Sequence, residues 1–274
     1  MSTLRSPSKA SPVLLIDGLP PTEADLTYLA LVNYGAYTSF RVEDGGVRGL
    51  GHHLGRLDDY AVALFGEPVG QGALRAHIRT ALADRRDAWL RVSLFSPEIW
   101  SRTPSARVRP RVMTATSPPP PPLATSDRLQ VQTYAREDAH IKHTAIYGLI
   151  RARRLAREAG LDDALFADAD GVISEGSSWN IGFLSGDTVV WPQAPMLAGV
   201  TQILIDRGLA GVGMTAVTRP VRTGDLAAFD GAFLCNSATP ACPITAIDGL
   251  ALQTSPAMID RLAAAWASNP PEPI

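Results

Sequence analysis

Hydrophobic and polar positions along the chain fall into two periods. Tyr37-Thr-Ser-Phe-Arg-Val42 alternates every second residue, which predicts a strand, and Glu43-Asp-Gly-Gly46 supplies a hairpin turn into Val47-Arg-Gly-Leu50. From His52 to Phe65 the period changes to that of a helix, with Leu54, Leu57, Ala61 and Leu64 on one face. A second helix over 72–85 places Leu74, Ile78 and Leu82 at i, i+4, i+8. Strands are predicted over 88–95 and 108–114, and Val13-Leu-Leu-Ile16 reads as a short first strand. The pattern over 24–36 does not decide between helix and strand. Later in the chain, a strand over 129–134 precedes a helix over about 143–159, opened by His140-Ile-Lys-His-Thr-Ala-Ile-Tyr147 and stopped by Gly160. A hairpin over 163–174 turns at Asp168-Ala-Asp-Gly171, and a strand pair joins 180–184 to 188–191. A helix opens at Gly199-Val-Thr201 and ends near Gly208. Strands over 232–236 and 243–248 and a helix near 257–267 complete the pattern.

The proline run Pro118–Pro122 cannot join a sheet ladder and marks a spacer. The expected organisation is a flexible Ser/Pro-rich tail over 1–22, a small α+β domain over 23–116, a linker over 117–126 and a larger domain over 127–274. Strands and helices mix without a regular βαβ alternation, so the fold class is α+β.

Composition narrows the function. The 274 residues are 46% hydrophobic and 19% charged, with a formal net charge of −2, which argues against nucleic acid or an anionic membrane as the main partner. No apolar run is long enough to span a bilayer, and the first ten residues lack the apolar core of a secretory signal, so a cytoplasmic location is expected. The two cysteines, Cys235 and Cys242, give no disulfide framework and have no histidines at metal-ligand spacing, so no metal is expected.

One count changes the picture. Lysine and arginine together number 25, yet only Lys9 and Lys142 are lysines, and Lys9 falls in the tail. Arginine cannot form an imine with a carbonyl, whereas lysine can. A single lysine in the body of an arginine-rich chain therefore points to amine chemistry, of the kind a pyridoxal phosphate aldehyde would use. Such a cofactor also needs a carboxylate at its ring nitrogen and donors for its phosphate. Glu175, in Ile173-Ser-Glu-Gly-Ser-Ser-Trp-Asn180, is a candidate for the first, while the helix start at Gly199-Val-Thr201 and the bidentate Arg56 are candidates for the second. Each has a plain structural reading as well: Arg56 as a solvated helix residue, Thr201 as a cap, Glu175 as a turn residue, Tyr147 as a core aromatic.

Taken in order, these motifs resemble the class IV pyridoxal-phosphate enzymes (fold type IV), which include branched-chain and D-amino-acid aminotransferases, (R)-selective amine transaminases and aminodeoxychorismate lyases. The resemblance spans roughly residues 30–250. His53-Leu-Gly-Arg-Leu57 is similar to H-L-x-R-L, which gives Arg56 the cofactor phosphate. Lys142 matches the Schiff-base lysine and Tyr147 the tyrosine that approaches the phenolic oxygen. Glu175-Gly-Ser-Ser-Trp-Asn180 is similar to E-x-x-x-x-N, whose glutamate meets the pyridine nitrogen. Leu197-Ala-Gly-Val-Thr201 resembles the phosphate loop L-x-G-[IV]-T, which assigns Val200 and Thr201, and Ser237-Ala238 aligns with the late Thr-Ala of the phosphate and carboxylate site. The resemblance implies a two-domain fold with pyridoxal 5′-phosphate in the cleft between domains, and a homodimer in which the partner chain completes the substrate pocket.

The implied reaction is transfer of an amino group between an amino acid or amine and a keto acid. A pyruvate-releasing aminodeoxychorismate lyase is the alternative. Tyr37-Thr-Ser-Phe-Arg-Val42, Lys142-His143 and Cys235-Asn-Ser-Ala-Thr-Pro240 resemble the lyase branch, while Tyr147 and Val200-Thr201 follow the aminotransferases. Tyr34-Gly-Ala36 departs from the G-D-G of both. Thr38 and Arg41 are the expected substrate residues, with Ala238 beside them and Arg41 as the carboxylate ligand. A silent binding protein on the same fold would be expected to have lost Lys142 or Glu175. A serine hydrolase is excluded because Gly176-Ser-Ser-Trp is not G-x-S-x-G.

Overall fold

The computed structural model describes residues 12–121 and 127–274. Lys9 and the end of the proline-rich segment, 122–126, lie outside them. The described chain forms two compact units, one of residues 12–47, 54–120 and 273–274, the other of 48–53, 121 and 127–272.

Along the first stretch run β1 (Val13–Ile16), α1 (Glu23–Leu31), β2 (Ala36–Val42), β3 (Gly46–Arg48), α2 (Leu50–Phe65), α3 (Gln71–Leu82), β4 (Ala88–Phe95) and β5 (Arg111–Ser117). The strands β1-β5-β4-β2 form an antiparallel sheet in that order. The alternation predicted for β2 is real: Ala36, Thr38, Phe40 and Val42 are buried, and the residues between them are not. Leu74, Ile78 and Leu82 of α3 are buried, and Thr116 Oγ1 donates to the Ala81 carbonyl at 3.3 Å, seating that helix on the sheet. The turn at Asp44-Gly45 has both residues at positive φ, 48° and 78°, as a two-residue hairpin turn requires.

Several expectations shift. The short strand read at Val13–Ile16 forms as β1, whereas the end of the stretch read as tail supplies the Thr22 cap of α1, where Thr22 and Asp25 form a reciprocal capping box. The undecided 24–36 stretch is mainly helix for that reason. The strand expected over 108–114 runs Arg111–Ser117, because Pro110 has no N–H to give a ladder.

The second stretch comprises β6 (Asp127–Thr133), α4 (Tyr147–Glu158), β7 (Asp163–Ala167), β8 (Ile173–Gly176), β9 (Asn180–Ser185), β10 (Thr188–Pro192), α5 (Val200–Gly208), β11 (Thr215–Arg219), β12 (Gly231–Asn236), β13 (Thr239–Ile247), β14 (Leu250–Ala251), α6 (Pro256–Ala267) and β15 (Pro271–Pro273). Its mixed sheet runs β11-β10-β9-β12-β13-β6-β7-β8, with β14 paired to β13. Successive β12 residues point to opposite faces. Ala232 and Leu234 join Trp179, Ile181 and Phe183 in one core, whereas Phe233 and Cys235 join Trp191, Ile205 and Leu262 in the other. Burying side chains of this size is worth roughly 1.5–3 kcal/mol each, so the two-sided strands β9 and β12 form the rigid centre of this unit.

Three more boundaries differ. The β13 strand begins at Thr239 rather than 243 and runs through Pro243. Pairing with β6 starts only at Ile244, so the missing N–H of Pro243 falls before that ladder begins. The exposed β11 carries no alternating pattern and was not predicted. The helix expected from 143 starts at Tyr147, so Lys142 sits in an irregular turn before it.

Candidate active site

The turn carrying Lys142 is built by Arg136. Its guanidinium donates to the carbonyls of Ala139 (3.2 Å) and Ile141 (2.7 Å), and Asp138 adopts φ 41°. Those carbonyls find their partners in a side chain, and α4 begins beyond this turn, at Tyr147. The same guanidinium forms an ion pair with Glu175 Oε1 at 3.1 Å, with both side chains at most 7% exposed. One buried arginine thus links the Lys142 turn to the Glu175 carboxylate.

Burial pushes Glu175 above the ordinary carboxyl range. Arg136 opposes this most strongly, followed by the Leu197 N–H and the positive charge of Lys142. His143 donates from Nε2 to the Glu137 carbonyl (3.1 Å), which leaves Nδ1 a buried nitrogen with no hydrogen-bond partner. Burial, then Arg136, holds its pKa below the usual histidine value.

From Glu175 the chain passes through Gly176, where the ring of Trp179 occupies the place of a side chain, and turns into β9 at Asn180. Trp179 Nε1 donates to the buried Asp163 at 3.0 Å. Glu175 Oε2 accepts from Leu197 N at 3.3 Å, and Asn180 Nδ2 donates to Leu197 O at 2.8 Å. The segment from Leu197 leads directly into α5. Val200 and Thr201 there are 3% and 4% exposed, and the N-cap, Gly199, supplies no side-chain cap. A buried helix start without a cap leaves its first N–H groups open to an anion. Nearby in sequence, the Ser177 hydroxyl is buried without a hydrogen-bond partner. Asn236 shapes the β12–β13 turn: its Oδ1 accepts from the N–H of Ala238 and Thr239 (both 2.9 Å), and its Nδ2 donates to the Ser178 carbonyl at 3.4 Å. Ser237 and Ala238 are thereby held next to the Glu175–Asn180 turn.

Lys142, Glu175, Val200, Thr201, Ser237 and Ala238 therefore belong to connected segments of the second unit. Tyr147 does not share their burial, since its ring is 76% exposed at the first turn of α4.

Arg56, Thr38 and Arg41 lie in the first unit. Arg56 donates to Thr38 Oγ1 from Nε at 3.1 Å and also from Nη2. Burial lowers its pKa, with Tyr60 and Tyr37 opposing, so it is a desolvated cation rather than a solvated helix residue. Thr38 is fully buried and accepts from that guanidinium. Arg41 pairs with Glu43 at 3.1 Å on the exposed surface. Two strand positions away in register, Arg91 was not singled out from sequence. Its guanidinium lies 3.6 Å from the centre of the Tyr37 ring and donates from Nε to Ser93 Oγ at 3.1 Å, and burial lowers its pKa. Alternation alone marked it as a β4 residue. Only the structure shows it stacked on Tyr37 and desolvated.

Residues 35–247 match the family described as Amino-transferase class IV, about three-quarters of the chain. The chain belongs to this family. A protein of Methanocaldococcus jannaschii named "Putative branched-chain-amino-acid aminotransferase" is 25% identical over 228 residues, covering 78% of this chain and 79% of that protein. The class IV fold is equally clear in solved structures. The branched-chain aminotransferase of Thermoproteus uzoniensis, solved with norvaline, superposes with TM-score 0.80 at 21% identity over 93% of this chain and 94% of that one. A Mycobacterium tuberculosis protein described as "a hypothetical aminotransferase", solved in its PLP-bound form, gives TM-score 0.76 at 21% identity over 94% of this chain and 99% of that one. The fold is therefore the fold type IV α+β architecture of class IV aminotransferases. Among the described residues no helix is long and apolar enough to cross a membrane, and no cluster of three metal-ligating side chains occurs.

Proposed function

We propose that this class IV enzyme is a pyridoxal-5′-phosphate-dependent aminotransferase that moves an amino group between an amino acid and a keto acid, with branched-chain amino acids the first substrates to test. One observation carries the reading. The buried Glu175 carboxylate reaches both the Lys142 turn, through Arg136, and the approach to the uncapped α5 start, through Leu197. An amine, a carboxylate and anion donors on segments linked in this way supply the three groups the cofactor needs.

When bound, the cofactor supplies an aldehyde that takes up amines and a ring that accepts electrons. Lys142 would hold the aldehyde carbon covalently and, once released, carry the substrate α proton as general base. Glu175, whose charged form Arg136 favours against burial, would hold a proton on the ring nitrogen. The α5 N–H groups and the hydroxyls of Thr201, Ser177 and Ser237 would take the phosphate. For the substrate carboxylate, Arg91 replaces Arg41, whose charge is already engaged by Glu43 at the surface. The protein is read as a cytoplasmic homodimer, which sedimentation of the purified enzyme checks.

Purified protein should absorb in the visible, and borohydride reduction should leave a pyridoxyl mass on Lys142. Absence of both sinks the proposal. Lys142-His143 and the Cys235–Pro243 stretch favour the lyase as the second reading. Pyruvate release from aminodeoxychorismate without any amino acceptor would establish that alternative over amine transfer.

A further inference from the structure

Glu175 and Asn180 close the two ends of the β8–β9 turn, and both reach the same residue. Glu175 Oε2 takes the N–H of Leu197, and Asn180 Nδ2 gives its hydrogen bond to the Leu197 carbonyl. Asn180 is 5% exposed and Glu175 equally so, which makes these interactions strong and costly to leave unmade. Asn180 Oδ1 in turn packs against Gly199, where a methyl group would overlap it. The chain can approach the amide this closely only at a glycine, and α5 starts at the next residue.

We propose that Asn180 is a positioning residue whose side-chain amide, together with Glu175, grips Leu197 at both ends, so that the Glu175 carboxylate and the start of α5 are set as one rigid piece. The inference rests on the cofactor reading above and gives the buried amide a role for which no reacting atom is needed. A cofactor has a fixed distance between ring nitrogen and phosphate, so its two ends bind together only if their protein partners keep a fixed spacing.

The test compares pyridoxal 5′-phosphate with pyridoxal, which lacks the phosphate, binding to the whole protein. Asn180→Ala should weaken pyridoxal 5′-phosphate by about tenfold or more, the scale of one buried hydrogen bond, and pyridoxal by less, because only the phosphate-bearing ligand spans both ends. Asn180→Asp keeps the size but, where ionised, cannot donate to the Leu197 carbonyl, so at pH above its own pKa it should be at least as impaired. Equal loss for the two ligands, no loss for the phosphate-bearing one, or an ionised N180D variant with parent affinity, would overturn the proposal. Gly199→Ala supplies a readout that needs no cofactor. It should lower the melting temperature of the cofactor-free protein, and adding N180A should recover part of that loss by vacating the space. Strict additivity of the two substitutions would overturn the apposition. If the parent protein binds neither ligand, the cofactor reading fails, while the melting cycle still decides whether Asn180 and Gly199 are coupled.

Discussion

At the scale of single residues the decisive group is Arg136, which sequence reasoning passed over as one arginine among 23. Its guanidinium is buried and serves two carbonyls and a carboxylate at once. Replacing it by Met removes the strongest influence that holds the Glu175 pKa down. Glu175 in the folded variant would then ionise at still higher pH than in the unfolded chain. A carboxyl of that kind binds a proton on folding, so the stability of Arg136→Met should be greatest below the ordinary carboxyl range and fall as pH rises through the folded pKa. Denaturant titrations of variant and parent from acid to neutral pH read this directly, and parallel curves would contradict it. Thr38 gives a second case. Thr38→Val removes the hydroxyl that accepts from the desolvated Arg56, and cofactor-free stability should drop by about 1–3 kcal/mol in urea unfolding. Lys142 and Glu175 were legible from sequence because their chemistry is rare or their spacing distinctive. Arg136 and Arg91 were not, because nothing local separates a buried arginine from a solvated one.

At the scale of elements, side chains and glycines fit in pairs that neither half reveals. Trp179 lies on Gly176 at the end of β8 and is fixed by the Asp163 carboxylate of β7. Gly176→Ala would force that ring away and should cost roughly 1–3 kcal/mol by thermal unfolding, with the Trp fluorescence maximum moving toward longer wavelength. Gly148 in the first turn of α4 has the same relation to Tyr134, whose ring is packed at 4.8 Å on Phe166. Periodicity located most helices and strands of both units because the packed faces repeat at 3.6 or 2. It placed the start of α4 too early, in the irregular turn that carries Lys142, and it missed β11, whose residues are mostly exposed.

For the whole molecule, the cofactor reading makes a thermodynamic prediction. A ligand that binds only the folded state stabilises it by mass action, about 2.7 kcal/mol at a hundredfold excess over its dissociation constant. Pyridoxal 5′-phosphate should therefore raise the melting temperature of the cofactor-stripped enzyme in a concentration-dependent way. In Lys142→Ala the rise should shrink, and amine transfer should fall by about 10²–10⁴, the share usual for a general base. An unchanged melting response in Lys142→Ala would show that the lysine does not hold the cofactor.

By itself the sequence determined the α+β class, most of the elements, the family resemblance and the residues whose identity is their chemistry: the lone body lysine, the glutamate five residues before an asparagine, and the glycine ahead of a helix. These are local patterns, set by residue type and spacing. Tertiary structure alone decided which charges are desolvated and what they hold. Arg56 leans on Thr38, Arg91 lies on Tyr37, Arg41 is spent on Glu43, and Leu197 is gripped between Glu175 and Asn180. Burial and pairing depend on groups brought together from distant parts of the chain, and no window along the sequence contains them.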